Sequence, residues 1–281
     1  MGNTLTCGVE RLVHSSIYKP PPVNYSRRSC LFATTKDGDS IAMRLYSQDT
    51  EVVERFCLGE PAGSEYDLII FSHGNGSDIG TAHRFCEHLS SALGIDVLVY
   101  DYPEYGHSSP THASQRKLLA SIDAVFEECL RHGWTQSRIF LMGHSLGSVP
   151  TVYRAAQHNC RVSGVVLLAP LASGPRVLLQ DSRYVPRWAL AYMDPLLFDN
   201  VDRIKHVRCP IAIVHGTGDS TVSISHTECL KQKIEESSVY PSLFLSVGHN
   251  ELVDVTNREL IKITLYIKRF REGCLLTANK I

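Results

Sequence analysis

At 281 residues, with 43% hydrophobic and 20% charged side chains and a formal net charge of −1, the chain can bury a full core without disulfides. Its near-neutral balance excludes the broad basic surface that a nucleic-acid partner requires. Nine scattered cysteines with no CxxC pair fit a reducing compartment, where Cys is a small buried hydrophobe, and none has zinc-finger spacing.

The first thirty residues carry no apolar stretch of signal-peptide length, and no run of 18 apolar residues occurs anywhere, so neither secretion nor a transmembrane helix is expected. Met1-Gly2-Asn3-Thr4-Leu5-Thr6 matches M-G-x-x-x-[ST], in which the Gly2 amine is myristoylated. One such chain binds a bilayer only marginally, with K on the order of 10⁴ M⁻¹, so a second anchor is needed. Cys7 is close enough to take a palmitoyl group. The expectation is a peripheral protein held on the cytoplasmic face of membranes; the alternative is a chance match in a frayed terminus. Lys19-Pro20-Pro21-Pro22-Val23-Asn24 can continue neither a helix nor a central strand, because proline lacks the donor and fixes φ. Residues 1–29 therefore read as an anchor segment and Pro-rich linker, and 30–281 as one domain.

From Cys30 the chain alternates. Residues 30–34 and 40–46 read as strands around the Asp-Gly turn of Lys36-Asp37-Gly38-Asp39. Residues 68–71, 97–100, 139–142, 165–168 and 211–214 are short, wholly apolar runs, the mark of parallel strands covered on both faces. Between them, Ala82, Phe85, Cys86, Leu89 and Leu93 recur at helical spacing, as do Leu118, Ile122, Val125 and Cys129. A further helix begins after Ser145, with Pro150 in its first turn. Strands alternating with helices predict βαβ crossovers in a doubly wound, mostly parallel sheet with helices on both faces. Residues 172–208 break the rhythm and read as a short insertion, either a lid or acyl-chain wall or ordinary packing over the sheet edge. The segment from Leu260 fits both periods; a closing helix is the choice, since it would cover a sheet face.

Gly143-His144-Ser145-Leu146-Gly147 is G-x-S-x-G, weak by itself, but the strand 139–142 enters it and a helix leaves it. That is the strand–turn–helix of a nucleophile elbow, which exposes a serine at a strand's carboxyl end. A serine hydroxyl needs an adjacent base. Asp219, after strand 211–214, and His249, after the 243–246 run, supply acid and base in the order Ser…Asp…His, all at one sheet edge. Asp194 and Asp199 are rival acids, Asp219 could instead cap a helix, and His215 reads as a core histidine. For the oxyanion, the Leu146 amide is one expected donor. The other comes from Ser72-His73-Gly74-Asn75-Gly76-Ser77-Asp78, with Asn75 the first candidate and Gly76 the second. His83 and His88 resemble a zincin pair, but at five residues apart they point about 140° from each other on a helix. No metal and no cofactor is expected.

Phe71-Ser72-His73-Gly74-Asn75, Asp101-Tyr102, Tyr105-Gly106-His107-Ser108-Ser109, Gly143–Gly147 with Val149-Pro150-Thr151, Ala169-Pro170-Leu171, Ser173-Gly174, His215-Gly216-Thr217 with Asp219, and Gly248-His249-Asn250 stand in that order. Together with the Pro-rich lead-in they resemble the α/β-hydrolase domain-containing protein 17 family. The resemblance implies an α/β-hydrolase fold and places Ser145, Asp219 and His249 on the family triad. It also implies depalmitoylation, the cleavage of palmitoyl thioesters from membrane-associated proteins. This chain departs in offering Cys7 and a myristoylation motif where such relatives carry an N-terminal cysteine cluster. His144, Leu146 and Pro103-Glu104 also differ from the family's commonest residues. Two other functions stay open: a lipid esterase acting on monoacylglycerol or lysophospholipid, and a non-catalytic binding protein on a hydrolase scaffold.

Overall fold

The wholly apolar runs form the centre of one sheet. The computed structural model describes residues 14–15, 17–62, 66–179, 185–234 and 238–278. In chain order it has β1 (Leu31–Thr34), β2 (Ser40–Tyr46), α1 (Thr50–Leu58), β3 (Leu68–Ser72), α2 (Ile79–Leu93), β4 (Asp96–Tyr100), α3 (Gln115–Arg131), β5 (Ile139–His144), α4 (Ser148–Ala155) and β6 (Gly164–Leu168). Short helices α5 (Gly174–Leu178), α6 (Arg187–Met193) and α7 (Asn200–Arg203) occupy the insertion, followed by β7 (Ile211–Gly216), α8 (Ser225–Lys231), β8 (Leu243–Leu245) and α9 (Leu260–Ala278). The strand order is β1-β2-β4-β3-β5-β6-β7-β8, with β1–β2 and β2–β4 antiparallel and every later pair parallel. This is the α/β-hydrolase fold, and the parallel pairing puts the carboxyl ends of β3–β8 on one edge, where open α/β sheets bind ligands.

Successive strand residues feed opposite cores, since a strand's side chains alternate. Ile70, Leu98, Leu141, Leu167 and Ile213 pack with α3 and α4, while Ile69, Val97, Phe140, Val166 and Ala212 pack with α2 and α9. Both faces of each central strand are thereby dry, which is why the runs are continuously apolar rather than alternating. The closing segment is a helix: Leu260, Ile263, Ile267, Phe270 and Cys274 are buried, whereas Ile261 and Leu265, which only a strand would bury with Ile263 and Ile267, are exposed.

Two features lie outside the sequence-based expectation. Helix α1 follows an Asp49 cap, whose side chain accepts from the Glu51 N–H, and ends at Gly59 in the left-handed region. The second is the Pro-rich lead-in, read as a linker before a domain starting near Cys30. Ile17 and Tyr18 are buried in the core with α3 and α4, and the Lys19 N–H donates to Asn75 Oδ1 at 2.9 Å. The Tyr25 hydroxyl donates to Asp101 Oδ2 and accepts from the His107 N–H. The prolines hold the backbone extended while the tyrosines on either side dock it. Gly2 and Cys7 lie outside the described residues. Among the described residues no helix is long and apolar enough to cross a membrane, and the described cysteines are all free thiols.

Candidate active site

β5 runs into a turn that only its glycines permit. A methyl group on Gly147 would lie 1.9 Å from the Ser72 carbonyl oxygen, and one on Gly143 would lie 2.5 Å from the Gly147 oxygen. Between them Ser145 takes φ 52°, a left-handed conformation that costs a non-glycine residue about 1–3 kcal/mol and concentrates at functional turns. The elbow lifts Ser145 to the sheet edge, although its residue surface remains largely buried.

Three sequence-predicted residues converge there. Ser145 Oγ is 2.8 Å from His249 Nε2, and His249 Nδ1 is 2.6 Å from Asp219 Oδ2. Asp219 follows β7 and His249 follows β8, so adjacent strand ends deliver acid and base to the serine on β5. Asp219 is fully buried as a side chain. Burial alone would raise its carboxyl, but His215, His249 and the Val222 N–H outweigh that and hold it far below the ordinary range. Its other oxygen accepts from the Thr221 and Val222 amides, both at 2.8 Å. A carboxylate so fixed keeps the His249 proton on Nδ1 and leaves Nε2 to accept from the serine hydroxyl.

The alternatives go elsewhere. Asp194 accepts from Ser173 Oγ and binds both arms of the Arg176 guanidinium, at 2.7 and 2.8 Å. Asp199 caps α7 by accepting from the Asp202 N–H. His215 is a buried core histidine, with Nδ1 on Thr227 Oγ1 and Nε2 on the Val222 carbonyl, but that Nε2 also lies 3.4 Å from Asp219 Oδ2 and braces the acid. His83 and His88 bond separately to the hydroxyls of Tyr46 and Thr264.

The loop after β3 lies beside the serine: a methyl group on Gly74 would come 3.6 Å from Ser145 Cβ. Leu146 is buried directly after Ser145. Asn75 is fixed from outside, its Oδ1 accepting from the Tyr105 hydroxyl at 2.7 Å and from the Lys19 N–H. Gly76 faces open space. The Tyr102 hydroxyl donates to the His73 carbonyl at 2.7 Å, and Asp101 Oδ1 accepts from the Ile79 N–H at the start of α2. The Asp101-Tyr102 and Tyr105–Ser109 motifs thus buttress this loop rather than touch the serine.

One residue that sequence reasoning noted only as a departure proves to be part of the site. His144 is buried beneath His249, its Nε2 3.2 Å from the His249 carbonyl oxygen and the two rings 4.9 Å apart. Burial first, and the neighbouring His249 second, push it down to about 3. It is therefore neutral at physiological pH, and its Nε2–H donates to that carbonyl. Its place in G-x-S-x-G, at the end of a strand facing the βα loops, was the available signal.

The sheet and this edge define an α/β-hydrolase, and comparison with known proteins agrees. The serine aminopeptidase S33 family profile matches residues 63–199. An esterase from Pyrococcus furiosus superposes with TM-score 0.67 at 15% identity, covering 91% of this chain and all of that one. An esterase from a Rhodococcus species gives 0.62 at 17%, covering 88% and 99%. The Xenopus laevis α/β-hydrolase domain-containing protein 17C is 35% identical over 191 residues, 68% of this chain and 58% of that protein. Protein 17B of Xenopus tropicalis is 31% identical over 218 residues, 77% of this chain and 71% of that protein. The chain belongs to the α/β-hydrolase domain-containing protein 17 family. Its match spans 54–58% of the length of the 17C relatives.

Proposed function

We propose that this chain is a serine hydrolase that removes palmitate from cysteine side chains of membrane-associated proteins at the cytoplasmic face. What carries the reading is the unbroken relay from Ser145 Oγ through His249 to the buried Asp219 carboxylate. His249 Nε2 takes the hydroxyl proton as Oγ attacks the thioester carbonyl, and the oxyanion forms facing the Leu146 and Asn75 amides, with Gly76 as second choice. Collapse expels the cysteine thiolate, which takes the proton from His249, leaving palmitate esterified to Ser145. Water then attacks, giving its proton to His249, and the second tetrahedral intermediate releases palmitic acid and restores the serine hydroxyl. The strained elbow and the braced loop would meet the negative charge where it develops, and preorganised donors of this kind are usually the largest single contribution to transition-state stabilisation, one donor being worth about 10²–10³ in kcat.

The family likeness supports the thioester substrate, and acylation of Gly2 and Cys7 would keep the site near its bilayer-held substrates. Gly2→Ala then moves the protein from the membrane to the soluble fraction; unchanged fractionation contradicts the anchor. Trp188 and Tyr192, exposed on α6, support an acyl-contact role for the insertion. A neighbouring cleft of about 860 Å³, lined by Arg176, Asp194, Asp202, Lys205 and Glu228 among others, includes none of the three relay residues and is too charged for an acyl chain. The deciding experiment compares palmitate release from an S-palmitoyl peptide and from monoacylglycerol by purified protein. Faster thioester cleavage supports the proposal, and preference for the glycerol ester replaces it with a lipid esterase.

A further inference from the structure

Away from the relay, three side chains distant in sequence meet where the lead-in crosses the loop after β4. His14 Nε2 is 3.1 Å from Glu104 Oε2, and His112 Nδ1 is 3.4 Å from Glu104 Oε1. All three ligand-type atoms lie within 4.8 Å of one another. Ligands bound about 2.0–2.1 Å from a tetrahedral zinc ion lie about 3.3 Å apart, close to these two separations. Two imidazoles and a carboxylate, leaving a fourth position for water, are also a donor set that zinc takes.

Three further observations set this group apart from an ordinary surface cluster. His14 Nε2 is sealed from solvent and makes no hydrogen bond, despite its proximity to the carboxylate. Glu104 is held at φ 76° by its N–H donating to the Ser109 carbonyl at 2.8 Å, a left-handed backbone that turns its side chain toward the lead-in. His112 is exposed, so one side of the group is open to solvent and gives a path for ion entry.

We propose that His14, Glu104 and His112 bind a divalent transition ion of the zinc class, which clasps the lead-in to the loop that supports the active site. The consequence follows from the chain path. Five residues beyond His14, the Lys19 N–H donates to Asn75 Oδ1 and lies 3.2 Å from the Tyr105 hydroxyl, and Tyr105 is the residue after Glu104. An ion at the clasp therefore tightens both groups that fix Asn75. Histidines at 14 and 112 with a glutamate at 104 form no local motif, so sequence spacing alone does not show this site.

The test titrates Zn²⁺ and Co²⁺ into the metal-free full chain, with the variant pair His14→Ala/His112→Ala and the single variant Glu104→Gln alongside. The proposal expects one equivalent bound by wild type, a tetrahedral Co²⁺ spectrum without thiolate charge-transfer bands, and at least tenfold weaker affinity in both variants. Equal affinity across the three proteins, or a thiolate spectrum from the free cysteines, overturns it. Thermal unfolding of each metal-free protein verifies that the variants fold. Should either not fold, hydrogen exchange on wild type decides: Zn²⁺ slows the Lys19 amide at least tenfold, and an unchanged rate overturns the clasp. None of these readouts depends on the hydrolytic reading.

Discussion

The elbow at Ser145 and the insertion at 172–208 sit on the same sheet edge and are built in opposite ways. At the elbow every atom is constrained: Gly143 and Gly147 touch backbone on neighbouring turns, Ser145 is strained, and His144 is buried under His249. In the insertion, short helices end after one or two turns, and Trp188 and Tyr192 stand 69% and 81% exposed. The rigid part holds the groups that must be in register for proton transfer, whereas the exposed face of α6, unlike the buried Leu197, Phe198 and Ile204 of the same insertion, is suited to chains of varying shape. Positioning chemistry demands over-determined geometry; apolar substrate contact does not.

Breaking the rigid side has the largest effect. Gly147→Ala places a methyl group against the Ser72 carbonyl, backbone that cannot step aside, and is expected to destabilise the fold by about 3 kcal/mol or more. A denaturant midpoint equal to wild type would show that the elbow has slack the packing does not suggest.

Acid sharpens the comparison, because a buried neutral histidine serves each region. His144 lies in the elbow; His226 Nδ1 accepts from the Ala172 N–H at the start of the insertion, at 2.9 Å. Burial, with the Arg176 charge second, pushes His226 down to about 4, and His144 sits at about 3. An unfolded histidine titrates near 6.5, so from about pH 6.5 down to 4 the unfolded chain takes up protons that the folded one refuses. Stability from these groups is complete above pH 6.5 and falls on acidification, by about 1.4 kcal/mol per pH unit for each. Denaturation at pH 7 and pH 5 measures the slope, and His226→Gln removes one group's share. A stability that rises toward pH 5 contradicts both placements.

The smallest effect belongs to the exposed side. Trp188→Ala with Tyr192→Ala should change stability by no more than about 0.5 kcal/mol, because little packing is lost. It should lower kcat/KM several-fold for a palmitoyl thioester while leaving an acetyl ester unchanged. Equal effects on both substrates would assign the insertion to structure rather than to acyl binding.

Much of this was legible in the chain because it is local. Apolar runs at 68–71, 97–100, 139–142, 165–168 and 211–214 mark strands buried on both faces, and G-x-S-x-G after one of them marks the turn. The order of Asp219 and His249 after later strands follows from the same reasoning. Contacts between distant segments were not legible. Three consecutive prolines read as a solvated spacer, yet Lys19 and Tyr25 on either side of them bond to groups 76 to 86 residues away, which no periodicity encodes. Helix α1 had a readable cap at Asp49 and stop at Gly59, but its buried face is only Val52 and Phe56, too narrow a stripe to stand out. His144 looked like a substitution at a variable motif position; only the fold brings His249 over it.

The central claim is that Ser145, poised by His249 and Asp219, is the nucleophile. Intact-protein and peptide mass spectrometry after treating folded wild type with a fluorophosphonate tests it most directly. The account predicts a single adduct on the peptide containing Ser145, absent in Ser145→Ala. No adduct on a natively folded protein, or one that persists in Ser145→Ala, would contradict it.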